Sequence, residues 1–385
     1  MAVVFCDSFA HYNTAGIPLK YSTAGGSIQS TAANVRTGPQ SLQISSSSAP
    51  SIQNFNLPAD ITQTYASAPV FFTFAVGLAY KTGDLSGRIF TLKRNLSISP
   101  TPAETLLYLV LNSDGSLSLL TSGAAVVGSS APGVITVGKF YYITLSANLL
   151  AGVGTTFAKV NLVDCATLAA GVDVISVTGF SLIDSFVDEL DFGGPTSGSA
   201  WVNDFYFEDL SDGSVYPFAP NILACLPNGV GTALNEWDFT SNAPWQPNAA
   251  NFALVNTVPQ DESVGIQWNV GYLATSLSPQ TDETYTFDTS ALPAGRTIDS
   301  IQAVLLWEFL LALTQFSDTI PLPIFQQNGD GVARIGFSQN VHSLTGNPFS
   351  YRMFVQPIDP FSNPWVMADW KSGVWQAGPT QLTNF

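Results

Sequence analysis

The sequence predicts an all-β chain with two sandwich domains in tandem. Short apolar runs recur between turn-forming residues along most of the chain, and several alternate apolar and polar side chains as strands do. Glycine and proline are frequent, with 31 and 24 copies, which is typical of a protein with many tight turns. A length of 385 residues exceeds that of one ordinary domain, so two separate cores are expected.

The composition excludes several classes of protein. Charged residues make up only 10% of the chain, and 12 basic against 28 acidic side chains give a net charge of −16. A nucleic-acid surface needs clustered lysine and arginine to displace phosphate counterions, so no nucleic-acid partner is expected. The strongest apolar run, 301–316, contains polar residues and is shorter than the ~20 residues of a membrane helix. No membrane partner is expected either.

The first domain is expected to span residues 1–215. Its clearest predicted strands are, in order, 70–80, 88–92, 106–111, 116–121, 140–147, 157–163, 187–192 and 201–207. Residues 112–115 read Asn-Ser-Asp-Gly and predict a tight hairpin turn, because glycine accepts a positive φ there.

The last of these strands carries two chemically different sets of side chains. Side chains alternate along a strand, so one predicted face holds Trp201, Asn203, Phe205 and Phe207. The other predicted face holds Val202, Asp204, Tyr206 and Glu208. We expect Trp201, Phe205 and Phe207 to be buried in the core of the first domain.

The second domain is expected to span residues 216–385, after a turn-rich stretch with three closely spaced prolines. Its predicted strands are 265–275, 283–287, 301–313, 332–337 and 351–356. Segment 301–313 is apolar on both strand faces and would also suit a buried helix. Val304, Trp307 and Phe309 favour a strand, because branched and aromatic side chains suit sheets.

Residues 187–210 resemble the closing strands of concanavalin-like jelly-roll domains of the laminin-G and legume-lectin type. The resemblance implies a lectin-like jelly roll for the first domain. Glycanases of this group carry Glu-hydrophobic-Asp and a second Glu two or three residues later. Here Glu189 and Asp191 begin the pattern, but Gly193 and Gly194 occupy the positions of the second Glu. We therefore predict no catalytic residue and no enzyme, and a glycoside hydrolase is the disfavoured alternative.

Several stretches resemble a family of tailed-bacteriophage virion proteins, in which a concanavalin-like domain precedes a second β domain. These stretches are 5–12, 202–207, 248–258, 282–287, 301–304 and 364–378. The resemblance implies a virion structural protein, made in the host cytoplasm, that decorates the capsid or forms a tail or fibre appendage. Its partners would be other capsid or tail proteins. The alternative is a glycan-binding adhesion module that attaches the particle to the bacterial surface.

No cofactor is expected, and metal binding has only weak support. The chain has two histidines and three dispersed cysteines without CxxC spacing, which predicts buried thiols rather than a metal site. Carboxylates near strand ends are ligands that Ca²⁺ accepts, and the alternative is that they solvate those ends. The weak calcium candidates are Asp188, Asp191, Asp204 and Glu208.

The second domain contains more large apolar side chains than one domain of its size is expected to bury. Exposed apolar patches usually mark interfaces, and identical chains usually assemble with closed symmetry. We therefore expect a homo-oligomer, with a trimer taken by analogy with viral appendages. The alternative is that the C-terminal tail packs on its own domain. The interface candidates are Trp307, Phe309, Trp365, Trp370 and Trp375.

Overall fold

The structure is a computed structural model, and strands dominate it, which confirms the all-β prediction. The residues it describes are 2–10, 13–14, 17, 21, 25–45, 53–56, 72–94, 104–150, 156–182, 187, 189–211, 213, 219–231, 237–239, 266–268, 280–282, 284–293, 296–298, 301–308, 321–327, 333–335, 349–356 and 358–382.

The chain divides into two compact units, Met1–Ile222 and Leu223–Phe385. The first unit contains a short 3-10 helix, Ala32–Asn34. Its strands are β1 (Ala2–Asp7), β2 (Ser27–Gln29), β3 (Ser41–Ser45), β4 (Gln53–Asn56), β5 (Thr73–Thr82), β6 (Gly87–Arg94), β7 (Glu104–Leu111), β8 (Leu117–Thr121), β9 (Val126–Ser129), β10 (Phe140–Asn148), β11 (Phe157–Asp164), β12 (Val172–Thr178), β13 (Glu189–Phe192) and β14 (Ser199–Asp209).

Two antiparallel sheets form the first unit, as predicted for a jelly-roll sandwich. Sheet A has the strand order β12-β11-β10-β5-β14-β3-β2, and β1 also pairs with β14. Sheet B has the order β4-β13-β6-β7-β8-β9. Their apolar faces meet in an aromatic core, where Phe205 of sheet A lies 4.7 Å, between ring centroids, from Phe192 of sheet B. Both side chains are fully buried.

The predicted hairpin at 112–115 is confirmed between β7 and β8. The amide of Gly115 donates to the carbonyl of Asn112 at 2.9 Å, and Gly115 has a φ of +77°. This is the left-handed conformation that glycine adopts without a steric penalty.

A β-bulge interrupts β14 and shifts the phase of its side chains. Asn203 pairs with Ala79, but the next paired residue is Tyr206, opposite Gly77. Between them Asp204 adopts a φ of +48°, which is uncommon outside glycine but tolerated by aspartate. The extra residue reverses which side of the sheet the following side chains occupy.

The prediction that Trp201 and Asn203 share a face with Phe205 and Phe207 is therefore wrong. Phe205 and Phe207 are fully buried in the core, as expected. Trp201 lies on the other side of sheet A, where the Lys81 ammonium sits 5.4 Å from its ring centroid. Trp201 is only partly buried. Strand alternation alone does not detect the bulge, because it assumes a continuous pleat.

Gly77 is required where two tyrosine rings cross β5. Tyr206 and Tyr142 stack with centroids 6.3 Å apart, and both are almost fully buried. A Cβ at position 77 would lie 2.8 Å from Cζ of Tyr206 and 2.9 Å from Cε1 of Tyr142.

Gly77→Ala is expected to lower the free energy of unfolding by about 1–3 kcal/mol, because two packed rings must move. Gly123→Ala is the matched control, since a Cβ there meets nothing within 4 Å. Urea unfolding of both variants is the measurement. Equal stability of the two would contradict this packing.

The second unit is also made of antiparallel strands. They are β15 (Pro227–Val230), β16 (Trp237–Phe239), β17 (Ile266–Trp268), β18 (Gln280–Asp282), β19 (Tyr285–Phe287), β20 (Ile301–Glu308), β21 (Pro321–Gln327), β22 (Ala333–Ile335), β23 (Phe349–Gln356) and β24 (Trp375–Leu382), with one short helix, α1 (Met367–Lys371). Sheet C has the order β15-β19-β24-β21-β22, with β18 beside β24. The remaining strands pair as β16 with β17 and β20 with β23.

Segment 301–308 is a strand, which decides the ambiguity between strand and helix for that part of the apolar run. It pairs with β23 along its full length. Residues 309–313 of the predicted strand lie outside the described residues. Within the part of the chain that the structure describes, no helix has the length and apolar character needed to cross a membrane.

Candidate functional site

The side of sheet B that faces away from the core carries several polar side chains that are buried rather than solvated. We call this surface the polar face and define it by six residues on β6, β7 and β13. Leu190 and Phe192 of β13 point into the core, so the alternate residues lie on the polar face. Its members are Arg88, Thr91, Lys93, Tyr108, Glu189 and Asp191.

The pairing of the strands brings these residues together. Glu189 pairs with Lys93, and Asp191 pairs with Thr91. Thr91 pairs in turn with Tyr108 on β7. Asp191, Thr91 and Tyr108 therefore form a row across β13, β6 and β7 in the middle of sheet B.

Two carboxylates and one ammonium group form a buried charge cluster on the polar face. Glu189 and Asp191 are only 2% and 3% exposed. The Lys93 ammonium lies 3.2 Å from Oε1 of Glu189 and also contacts Oδ2 of Asp191. One cation thus serves two carboxylates, and the cluster carries one uncompensated negative charge when all three groups are ionised.

Burial is the main cause that raises the pKa of Asp191, to about 6. The Lys93 ammonium opposes this increase, and the neighbouring Glu189 carboxylate adds to it. For Lys93, burial lowers the pKa, but the hydrogen bond and charge of Asp191 together with Glu189 outweigh burial and raise it. Lys93 therefore remains charged at neutral pH, while Asp191 loses its negative charge as the pH falls through about 6.

One oxygen of this cluster lacks a partner. Oδ1 of Asp191 is buried and accepts no hydrogen bond from the residues that the structure describes, whereas Oδ2 contacts Lys93. A buried carboxylate oxygen without a donor is costly, by roughly 1–3 kcal/mol or more for a charged group. Such a group in a folded protein requires an explanation, and a ligand that supplies the donor is one.

The third carboxylate of a glycanase has no room at position 193. A Cβ on Gly193 would lie 2.7 Å from the backbone carbonyl carbon of Arg88, on the adjacent strand β6. Gly193 also donates its amide to the carbonyl of Ile89 at 2.8 Å, so its backbone is fixed in place. The glycine that interrupts the sequence pattern is therefore imposed by the close approach of two strands.

Arg88 and Tyr108 border the charge cluster. The guanidinium carbon of Arg88 lies 4.4 Å from the Tyr108 ring centroid, and Nη1 donates to Oγ1 of Thr91 at 3.2 Å. Arg88 is exposed, while Thr91 and Tyr108 are buried. A register shift between Arg88 and Phe90 places this arginine on the polar face.

Sequence reasoning missed four site residues, which are Arg88, Thr91, Lys93 and Tyr108. Lys93 and Thr91 alternate in β6, so their shared face was a detectable signal. Arg88 was not detectable in this way, because the register shift breaks the alternation.

The weak calcium candidates do not form one site. Asp191 lies on sheet B, whereas Asp204 and Glu208 lie on β14 of sheet A, where both are fully buried. Asp188 lies outside the described residues. Among the residues described, no group of three or more histidine, cysteine, aspartate or glutamate side chains is arranged to hold a metal ion.

Asp204 takes part in a buried ion pair that fastens the end of the first unit. Its Oδ2 lies 2.6 Å from Nη1 of Arg36, and the two side chains are 0% and 7% exposed. Oδ1 accepts the amide of Ile222 at 2.9 Å. Arg36 also donates to the carbonyls of Ala219 and Pro220.

We call this arrangement the Arg36–Asp204 clamp. It holds 219–222 on the first unit, which ends at Ile222, inside the turn-rich stretch where the domain boundary is expected.

The tryptophans proposed for an interface lie in the core of the second unit instead. Trp365, Trp370 and Trp375 are 4%, 8% and 2% exposed, and they pack with Phe325. Trp365 and Trp375 meet edge to face with centroids 5.1 Å apart. This matches the alternative in which the C-terminal tail packs on its own domain.

The other two interface candidates are Trp307 and Phe309. Trp307 lies on β20, whose pairing with β23 is described but whose side chain at this position is not. Phe309 lies outside the described residues.

Cys6, Cys165 and Cys225 are each partly buried, whereas the sequence predicted buried thiols. Burial raises the pKa of Cys165 and of Cys225 to about 11. Both thiols are therefore protonated at neutral pH, and because the thiolate is the reactive form, neither is activated for nucleophilic or redox chemistry.

No family model matches the chain, and no curated protein matches it. Solved structures similar to it include the exoplasmic/lumenal domain of VIP36 in a Ca²⁺-bound form, at 10% identity and a TM-score of 0.32, covering 45% of this chain and 79% of that one. Lectin I-B4 from Griffonia simplicifolia is similar at 11% identity and a TM-score of 0.30, over 48% and 91%. A Trypanosoma rangeli sialidase is similar at 16% identity and a TM-score of 0.28, over 49% and 30%. Similarity at this level carries no functional argument.

Proposed function

We propose that the first unit is a non-enzymatic glycan-binding module and that its ligand lies on the polar face of sheet B. The observation that carries this proposal is Oδ1 of Asp191, a buried acceptor to which no described residue donates. A sugar hydroxyl is a donor of suitable size, and it would satisfy this oxygen without adding charge to the cluster.

The neighbours of Asp191 support the same ligand chemistry. Lys93, Thr91 and Arg88 supply donors beside the unpaired acceptor, and Tyr108 supplies an apolar ring at the border of the face. Polyols present donors and acceptors close together, so they suit a surface on which both kinds of group alternate.

Binding without hydrolysis follows from two features of the polar face. Retaining hydrolysis needs a nucleophile and a separate acid, with carboxyl groups ~5–5.5 Å apart. Here Lys93 contacts both carboxylates, and the strand approach at Gly193 leaves no room for another carboxylate at that position.

The test uses the full-length protein on a glycan array, followed by titration calorimetry with the best ligand. Asp191→Asn is expected to weaken binding at least about tenfold, because it replaces an ionised acceptor with a neutral amide. The wild-type affinity is expected to rise between pH 5 and pH 7, since ionised Asp191 is the better acceptor and its pKa is about 6.

Asp114→Asn is the matched control, because Asp114 is an exposed carboxylate in the β7–β8 hairpin that bonds to Ser116. It should leave the affinity unchanged. The absence of any glycan ligand, or a ligand whose affinity is the same in Asp191→Asn at every pH, would contradict the proposal.

The resemblance to tailed-bacteriophage virion proteins supports a second proposal, about where the module works. We infer that the chain is a capsid-decoration or tail or fibre protein, assembled with other virion proteins after synthesis in the host cytoplasm. Glycan binding by the first unit would then attach the particle to the bacterial surface. A cryo-electron microscopy map of the intact particle tests this setting, and absence of the chain from the particle would contradict it. The homo-oligomer and its trimeric state stay predictions.

A further inference from the structure

Arg88 is a cation on the polar face that has no carboxylate partner among the described residues. The other described arginines of the first unit are paired with acids, Arg36 with Asp204 and Arg94 with Glu104. Arg88 instead contacts a neutral hydroxyl and an aromatic ring. It is also exposed, unlike the cluster beside it.

These contacts hold the arginine in place and leave most of its donors available. A guanidinium group has five N–H donors in a planar fork, and the bond to Thr91 uses one of them. Stacking on Tyr108 restricts the side chain before any ligand arrives, so less conformational entropy is lost on binding. A planar fork of this kind matches a carboxylate bidentately.

The buried acceptor, Oδ1 of Asp191, and the exposed cation, Arg88, lie on adjacent strands of sheet B. Thr91, which accepts from Arg88, is the register partner of Asp191. A ligand that spans the two must therefore donate a hydrogen bond at one position and present an anion at the other. A sugar acid has both groups on one ring.

We propose that Arg88 binds the carboxylate of an acidic sugar while Oδ1 of Asp191 accepts one of its hydroxyls, so that the ligand class is a uronic-acid-containing glycan. This inference rests on the glycan-binding function proposed above and specifies its ligand.

The net charge of −16 acts against an anionic ligand at long range. At physiological ionic strength, however, charges more than ~8 Å apart are largely screened. Within that distance the positive charge of Arg88 offsets the one uncompensated negative charge of the Glu189, Asp191 and Lys93 cluster, so the bidentate fit of a carboxylate to the guanidinium supplies the preference. Association is expected to become faster as salt is raised from low concentration, because the repulsion is screened first.

The experiment measures binding of the full-length protein to a polyglutamate peptide and to four oligosaccharide probes of equal length. They are a galacturonic acid oligosaccharide, its methyl ester, a neutral galactan oligosaccharide and a sulfated galactan oligosaccharide. The galacturonate is expected to bind at least about tenfold more tightly than its ester, which keeps the shape and loses the charge. It is also expected to bind more tightly than the sulfated probe, because its carboxylate fits the guanidinium fork.

Variants of Arg88 test whether this residue causes the preference for the acid over its methyl ester. Arg88→Gln is expected to abolish the difference between acid and ester, and Arg88→Lys to retain part of it, because lysine keeps the charge without the fork. Lys139→Gln is the matched control, an exposed cation of the same unit away from the polar face. It should leave the preference unchanged.

Four outcomes would overturn the inference. If neutral and esterified probes bind as tightly as the acid and Asp191→Asn still weakens them, the ligand class is wrong but the glycan-binding function stands. If the sulfated probe binds more tightly than the galacturonate, the anionic group that Arg88 recognises is a sulfate ester and not a carboxylate. Tighter binding of a polyglutamate peptide than of any glycan would point to an acidic protein partner. If none of the probes and no array glycan binds, both proposals fail.

Discussion

Asp204→Asn is expected to lower the free energy of unfolding of the first unit by about 3–5 kcal/mol, because it leaves Arg36 buried without its counterion. Asparagine tolerates the positive φ at this position, so the loss reports the charge and not backbone strain. Hydrogen-exchange mass spectrometry across a urea series measures the first unit separately from the second. Residues 219–222 are expected to lose protection first, because Asp204 and Arg36 bond directly to them.

Two further variants control this prediction. Lys159→Ala removes one partner of an exposed ion pair with Asp173, at 3.8 Å, and should change stability by less than about 1 kcal/mol. The double variant Arg36→Met with Asp204→Asn should recover part of the loss, since no unpaired charge is left. A loss for Asp204→Asn no larger than that for Lys159→Ala would show that the clamp does not stabilise the unit.

The second large decrease in the free energy of unfolding is expected for a substitution at Lys93. Lys93→Met removes the cation shared by two buried carboxylates, and we expect a loss of about 3–5 kcal/mol at pH 8. The loss should shrink as the pH falls from 8 towards 6, because Asp191 of the variant, with a pKa above the wild-type value of about 6, then takes up a proton and loses its charge. The measurement is the free energy of urea unfolding from pH 4 to pH 8.

The direction in which the stability of Lys93→Met changes with pH follows from proton binding. The pKa of Asp191 is already raised to about 6 in the folded protein, against 3.8 for the ordinary group, and losing the ammonium raises it further. The folded state then holds a proton that the unfolded state releases, so stability falls as the pH rises through this range. Adding Asp191→Asn to Lys93→Met should remove most of the pH dependence. A loss that is constant from pH 4 to pH 8 would contradict the charge cluster.

The fold class and the position of the site could be predicted from the sequence to different extents. Alternation and turn residues were sufficient for the all-β class and for the hairpin at 112–115, because these depend on local backbone preferences. The sequence pattern also identified Glu189 and Asp191 as neighbours on one strand face. It did not reveal that Lys93 joins them, since strand pairing across sheet B depends on contacts distant in sequence.

The bulge at Asp204 marks the limit of local reasoning. Its positive φ is stabilised by the Arg36–Asp204 clamp and by a hydrogen bond from the Tyr142 hydroxyl to the Asp204 carbonyl at 2.7 Å. Arg36 and Tyr142 are distant from β14 in sequence, so the sequence of β14 alone does not predict the bulge. The faces of Trp201 and Asn203 were therefore assigned incorrectly, while Phe205 was correctly placed in the core.

The tryptophans of the C-terminal tail illustrate the same limit in the second unit. A count of large apolar side chains predicted a surplus available for an interface. In the structure, Trp365, Trp370 and Trp375 surround Phe325 and fill a compact core. Composition gives the amount of apolar surface, but only the fold determines how much of it the chain buries by itself.

The most direct test of the central claim is a crystal structure of the protein with the tightest glycan from the array. The proposed function predicts a sugar on the polar face of sheet B, with a hydroxyl within about 3 Å of Oδ1 of Asp191. A sugar bound on sheet A or on the second unit, with Oδ1 of Asp191 still lacking a donor, would contradict it.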